Sequence, residues 1–497
     1  SIKGRAPSRK KLSVVMLWRQ QLLRLPVLDI TLHAQAIEGC TSYAAVSAVE
    51  LPAHFPVATV TKSEATATVS PTWWTLLGDP TLDELMEAAR RHNTDVQAAA
   101  ARVEQAEALL REAEALRWPT LGLNAAATRQ RSSALAPGGT GAAYETYQLA
   151  GTTSFEIDFW GRLRRASEAA RAQALATDYA REVVWQTVSG SVAQSYFTLR
   201  MLDEQIALSR ETLASREESL RLLQLRLQTG AATRMEVEQA EAERAEAAVQ
   251  WRELQRQREL VRSQLALLTG QPALQLEPGR LGDMPLPPVP PPGLPSALLE
   301  RRPDVRQAEA LLAAANAQIG VARAAMYPSI VLTGAAGGLS TELADLLKSG
   351  ARFGSLGLTL DLPLFDAGRR RAQTAQAEAR QREALATYRA AVLAAFRDVG
   401  DALTDWEAAR AAQADVEAAA QASERALRAA QQRYEVDYAS YLELLDAQRS
   451  AYAARLRVVE NRRAQLSATV AVFKALGGGW SAPERLTASR DSGHRER

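Results

Sequence analysis

Residues 355–364 read Ser355-Leu356-Gly357-Leu358-Thr359-Leu360-Asp361-Leu362-Pro363-Leu364. Every even position is leucine, and the odd positions from 355 to 361 are small or polar. An extended chain therefore gathers five leucines on one face. Alternation over about ten residues is the length a membrane β-barrel strand requires, though an antiparallel sheet with one wet face shows the same pattern. The pattern recurs upstream. Ile330 and Leu332 share a face, and Leu121, Leu123, Ala125 and Ala127 alternate with Gly122, Asn124, Ala126 and Thr128. Tyr147, Leu149, Thr153, Phe155, Ile157 and Phe159 alternate with Gln148, Ala150, Thr152, Ser154, Glu156 and Asp158. The pattern predicts four strands, about 119–130, 146–160, 328–338 and 353–365, with Asp158 and Asp361 at strand ends on the polar face.

Outside the strands the chain reads as helix. Ala/Glu/Arg/Gln-rich blocks cover roughly 80–117, 162–228, 234–268 and 369–475, the last broken near Asp437. Trp185, Val192, Leu199, Ile206, Leu213, Leu220 and Leu227 form a seven-residue apolar repeat, and Leu445, Tyr452, Val459, Leu466 and Phe473 form another. Such repeats imply helices in a left-handed supercoil. At 1.5 Å per residue the 162–228 block spans ~100 Å, far more than a compact domain uses. Taken alone, a heptad run of this kind is a solvated coiled-coil rod.

The chain repeats itself. Asp95-Val96 and Trp118-Pro119 return 209 residues later as Asp304-Val305 and Tyr327-Pro328. Gly161-Arg162, Arg226, Ala240 and Gly270 return 207 residues later as Gly368-Arg369, Arg433, Ala447 and Gly477. The expected organisation is a targeting segment at 1–40, an extended segment at 41–72 and a first repeat at 73–270. A stiff Pro-rich linker at 271–297, a second repeat at 298–477 and a flexible tail at 478–497 complete it.

Strand number constrains assembly. Four strands cannot close a barrel, and an open edge in lipid leaves backbone groups unsatisfied. Two chains would supply eight strands, whose interior side chains fill; three would supply twelve, wide enough for water. Each hairpin is flanked by helices, so the helices hang from one rim and extend the barrel into a tunnel.

Composition excludes other classes. With 59 basic against 57 acidic residues there is no basic footprint for nucleic acid. A single Cys and four scattered histidines, His33, His54, His92 and His494, give no metal-ligand spacing and no nucleophilic triad, so neither a cofactor nor an enzymatic activity is expected. No run of 18 apolar residues marks a membrane-spanning helix, which leaves a β-barrel open.

The chain resembles the outer-membrane efflux channels of Gram-negative bacteria, in the lipoprotein branch that serves resistance-nodulation-division pumps. The matching stretches include Trp73-Trp74 through Leu85, Phe155-Glu156-Ile157-Asp158-Phe159-Trp160-Gly161-Arg162, Leu299-Glu300-Arg301-Arg302-Pro303-Asp304-Val305 and Ala325-Met326-Tyr327-Pro328. Pro363-Leu364-Phe365-Asp366-Ala367-Gly368-Arg369, Tyr441 through Ser450 and Lys474 through Trp480 complete the set, in family order. The resemblance implies a mainly α chain with a membrane β-barrel: four strands per chain in a twelve-stranded homotrimeric barrel, continued by a periplasmic α-barrel of coiled-coil helices. It further implies an outer-membrane location in contact with lipid, a periplasmic adaptor (membrane fusion) protein and an inner-membrane pump as partners, and export of small molecules.

Three positions carry specific expectations from the resemblance. Leu442 and Asp446, four apart on one helix face, match the residues that form constricting rings at the tunnel's closed periplasmic end. The 207-residue offset places Met235 and Gln239 at the equivalent positions of the first repeat. Cys40 stands where the branch has its lipidated cysteine, with Gly39 fitting and Glu38 departing from the pattern. Lipid anchor and unmodified thiol are both open for it. At the second helical turn Asp437 replaces the usual Gly, while the first turn keeps Gly230. Two further classes also carry long helices: a periplasmic adaptor and a coiled-coil scaffold without a pore, neither of which needs four amphipathic strands.

Overall fold

The computed structural model describes residues 70–131, 133, 135, 141–289, 301–436 and 438–479. Cys40 with the 1–40 segment, nearly all of 41–72, Asp437, and Trp480 with the rest of the tail lie outside the described residues.

The helical region opens with α1 (Pro80–His92), which has proline at its first position and Asp79 as N-cap. Asp79 Oδ1 accepts from the amides of Thr81 and Leu82 at 2.9 and 3.2 Å. The expected single helix over 80–117 is in fact two, because Asn93 interrupts it in an extended conformation and caps α2 (Thr94–Ala115). Its Oδ1 accepts from Asp95 and Val96, and its amide nitrogen donates to the Leu268 carbonyl at 2.9 Å. Those three bonds make the break a designed corner that ties α1 and α2 to a later helix.

Two helices of 67 residues follow the hairpins, α3 (Arg162–Gln228) and α6 (Arg369–Glu435), their starts 207 residues apart. Each begins after a glycine with positive φ, Gly161 at 79° and Gly368 at 86°, where an L side chain would be strained. An aspartate just upstream serves the unpaired amides. Asp158 accepts from Leu163 and Arg164 at 3.0 and 2.8 Å, and Asp366 from Gly368 and Arg370 at 3.0 and 3.2 Å. Asp158 is therefore not a residue on the polar face of a strand; the second strand stops before it and its carboxylate caps α3.

Each long helix turns into a shorter antiparallel partner, α4 (Arg234–Thr269) and α7 (Tyr441–Ala475). The first turn uses Gly230, φ 76°, and a reciprocal cap in which Glu236 N donates to Thr233 Oγ1 at 3.3 Å and Thr233 N to Glu236 Oε2 at 2.7 Å. The second uses Ser440, whose hydroxyl accepts from Glu443 N at 3.2 Å. Between the two halves, α5 (Pro303–Ala324) packs against both long helices. Among the described residues no helix is long and apolar enough to cross a membrane.

The strands form one antiparallel sheet in sequence order: β1 (Thr120–Arg131), β2 (Ala143–Glu156), β3 (Ser329–Ser340) and β4 (Arg352–Asp361). β2 and β4 end four residues earlier than the alternation suggests. β3 begins at Ser329 after Pro328, so Asp361 is the last residue of β4 with a partner, and Pro363 beyond it has no amide to donate.

The main core lies midway along the helices. Trp73, Trp74, Leu82, Leu85 and Met86 pack on Trp185, Val192, Tyr196 and Leu199 of α3, Leu265 of α4, and Leu466 and Phe473 of α7. The heptad seam is thus buried at its upper positions, while Leu227 near the turn is exposed. A polar network is locked into this core. Tyr196 donates its hydroxyl to Asp79 Oδ2 at 2.7 Å and accepts from Arg200 Nε at 3.0 Å. Asp203, almost fully buried, takes Arg200 at 3.2 Å, Arg258 at 2.6 Å and the Gly279 amide at 3.1 Å. Burial, then the Asp79 carboxylate, pushes the Tyr196 hydroxyl well above its ordinary value.

Candidate channel: the sheet face and the helical tip

The pairing register decides what each face of the sheet can touch. Phe155 stands opposite Leu332, and Leu332 opposite Leu358, giving one apolar row across three strands. The neighbouring row is Glu156, Val331 and Thr359, and further rows on that second face hold Thr120, Ser154, Thr333 and Gly357. One face therefore carries leucine, isoleucine and phenylalanine over much of its helix-side half, interrupted by Thr153 and Gly334 between Leu121 and Leu356, and the other is dominated by small and polar residues. Leu121 and Leu356 are 85% and 80% exposed, and Leu123, Leu358, Leu360 and Leu362 are exposed with them. At about 2 kcal/mol per fully buried leucine, six of them represent ~12 kcal/mol, as much as the whole stability of a typical domain. Water is the wrong solvent for this face; hydrocarbon is the right one.

β1 and β4 are the edges of the sheet, and each exposes an unpaired ladder. The strand directions alternate, so an edge β4 of one copy would meet an edge β1 of another antiparallel, continuing the same pattern.

Where the sheet joins the helices, Trp160 Nε1 donates to the Pro328 carbonyl at 2.8 Å and its ring stacks on Tyr327 at 4.5 Å. Arg162 grips Glu156 with two bonds, 3.0 and 2.6 Å. These contacts fix the exit of β2 to the entry of β3 and set the angle at which helices leave the sheet.

At the opposite end, the start of α7 divides its residues by face. Tyr441 and Leu445 are buried with Leu223 and Ala240, and Leu444 is buried as well, whereas Leu442 is 63% exposed and Asp446 is exposed one turn on. An exposed leucine and an exposed carboxylate thus stand one turn apart on the same helix. Met235 and Gln239 are likewise exposed at the equivalent point of α4. Behind this face lies a set of ion pairs that sequence reasoning missed. Glu243 of α4 pairs with Arg449 of α7 and sits 3.9 Å from Arg216 of α3, which also bonds Gln448. Arg216 is 4% exposed, and burial lowers its pKa despite the adjacent Glu243. Arg433 reaches across the second turn to Glu443 at 2.8 Å and to the Tyr438 carbonyl at 3.2 Å. Nothing in a helix rich in Arg and Glu distinguishes these few charges from solvated ones.

A sheet that needs hydrocarbon on one face, hung with helices of ~100 Å, defines a membrane channel with a long helical extension. The chain belongs to the outer membrane efflux protein family, whose model matches residues 85–271 and 294–478. It is 37% identical to the outer membrane protein OprJ of Pseudomonas aeruginosa over 84% of this chain and 88% of that protein. It is 36% identical to the solvent efflux pump outer membrane protein SrpC of Pseudomonas putida over 81% and 86%. Among solved structures it is similar to the open state of the MtrE outer membrane channel of Neisseria gonorrhoeae, with a TM-score of 0.79 and 32% identity over 87% of this chain and 96% of that one. The CmeC outer membrane channel of Campylobacter jejuni gives 0.80 and 26% over 87% and 94%. The protein is an outer-membrane channel component of an efflux system, and the adaptor and scaffold readings fall with the sheet and the family.

Proposed function

We propose that three copies close into a twelve-stranded barrel continued by a periplasmic helical barrel, forming a single tunnel for small-molecule export. The observation that carries this is the sheet: four strands, one lipid-compatible face and two open edges. Three chains are the smallest number whose barrel leaves a wet lumen. In this reading the channel receives substrate from an inner-membrane resistance-nodulation-division pump through a periplasmic adaptor, and the pump supplies the energy.

Leu442 and Asp446 are the constriction in this account. Threefold symmetry turns them into an apolar ring that gates by dewetting and, one turn away, a ring of three carboxylates that favours cations. Their joint exposure on the face adjoining the buried Tyr441 and Leu445 supports that role. The alternative is seam packing for Leu442 and a solvated charge for Asp446. Cys40 is the candidate lipid anchor, as its place in the family pattern suggests. The test of the function is loss of export: deletion of the gene followed by a panel of drugs, solvents and metals, where unchanged sensitivity throughout, with the protein present in the parent, contradicts an efflux role.

A further inference from the structure

The base of the sheet carries a charge arrangement that neither the barrel nor the gate uses. Arg117 precedes β1, and Arg369 and Arg371 lie in the first turn of α6 just after β4. All three are exposed and form no ion pair among the described residues, unlike Arg162, Arg164 and Arg165 nearby, which meet Glu156, Asp158 and Glu168. Three arginines fill the first turn of α6 and oppose its dipole; Arg370 faces the capping Asp366 at 4.0 Å, while Arg369 and Arg371 pair with no carboxylate among the described residues. Beside them stand Trp118, 73% exposed, and Leu364 and Phe365, about 90% exposed, directly beyond the last leucines of the apolar face. Aromatic residues at the end of a hydrocarbon-facing band belong to the headgroup level of a bilayer.

Topology adds the decisive point. Arg117 and Trp118 lie at the β1 edge of the sheet, whereas Phe365, Arg369 and Arg371 lie at its β4 edge. Within one chain the two groups are separated by the width of the sheet. They come together only where β4 of one copy meets β1 of the next.

We propose that each seam between copies binds an anionic phospholipid of the periplasmic leaflet, its phosphate held by Arg117 of one copy and Arg369 and Arg371 of its neighbour. This rests on the trimeric reading above. Guanidinium groups bind phosphate oxygens bidentately, the aromatic residues flank the glycerol region, and the leucine face receives the acyl chains. A zwitterionic lipid carries the same phosphate but brings its own cation, so the site discriminates by net charge. The lipid acts as a clasp across the seam, with residues from both copies.

Native mass spectrometry of the full chain in mild detergent tests this, with phosphatidylglycerol and phosphatidylethanolamine titrated separately. Wild-type trimers should retain up to three phosphatidylglycerol molecules, at about a tenfold lower concentration than phosphatidylethanolamine. The triple variant Arg117→Gln, Arg369→Gln, Arg371→Gln should lose the preference. A variant with the same charge change on the helix shafts, Arg252→Gln, Arg380→Gln, Arg425→Gln, should keep it. Equal preference in the first variant and wild type overturns the proposal, as does displacement of the lipid by millimolar inorganic phosphate, which would mark a free-anion site. The same spectrum gives the oligomeric mass: trimers without lipid preference sink this inference alone, and folded monomers sink the trimeric reading with it.

Discussion

Leu358 of β4 stands directly opposite Leu332 of β3, and its neighbour Thr359 opposite Val331 on the other face. A single-residue step thus crosses from the hydrocarbon side of the sheet to the lumen side. Leu358→Arg should impair trimer assembly by roughly 2–4 kcal/mol per chain, and Thr359→Arg by much less. Trimer yield after detergent extraction measures this; equal yields would mean the faces are reversed.

The tip makes a functional prediction. Leu442→Ala combined with Asp446→Ala should raise single-channel conductance in planar bilayers and reduce cation preference, since it removes both the apolar and the acidic ring. Met235→Ala with Gln239→Ala, on the equivalent turn of α4, should do less. Unchanged conductance and selectivity in the first variant, with trimers intact, would remove these residues from the gate.

The buried network around Tyr196 makes a stability prediction. Tyr196→Phe leaves Asp79 Oδ2 and Arg200 Nε without their shared partner and should cost about 1–3 kcal/mol in thermal unfolding followed by helical signal. Tyr438→Phe, at a residue 79% exposed, is the control and should be near neutral. The pH dependence follows from the raised hydroxyl. Its contribution is complete below the ordinary phenol value near 10 and is lost as pH rises beyond that, because the unfolded chain releases its proton first. Wild type should therefore lose stability more steeply than Tyr196→Phe above pH ~10. Parallel slopes would place the raised hydroxyl elsewhere.

Cys40 separates its two readings by mass. A lipid anchor predicts incorporation of labelled fatty acid that Cys40→Ser abolishes. Labelling that survives the substitution, or none in wild type, leaves an unmodified thiol.

Much of this architecture is legible in the sequence because its two periods are long and clean. Leucine at every even position from 356 to 364 fixes which face of β4 is apolar, and the heptad from Trp185 onward fixes a helix too long for a compact domain. Ends were less legible, for a physical reason: they are set by caps and partners rather than by hydrophobicity. The alternation runs on through Ile157 and Phe159, but Asp158 is taken by the amides of Leu163 and Arg164. Asn93 breaks an Ala-rich helix because it finds three partners; the Asn93-Thr94-Asp95 run was the available signal. The gate pair was legible only through resemblance, since one leucine and one aspartate at helical spacing are common. The charges of Asp203, Arg216 and Glu243 look solvated in sequence; Asp203 is buried where Gly279 and Arg258 close over it, and Arg216 and the half-buried Glu243 lie where α3, α4 and α7 meet.

The mass of the particle extracted in mild detergent tests the central claim most directly. The account predicts three chains per particle, with the heat-stable strand signal of a closed barrel beneath a dominant helical one, because a four-stranded sheet with unpaired β1 and β4 edges cannot persist in lipid. A monomer carrying that same folded-barrel signal would contradict it.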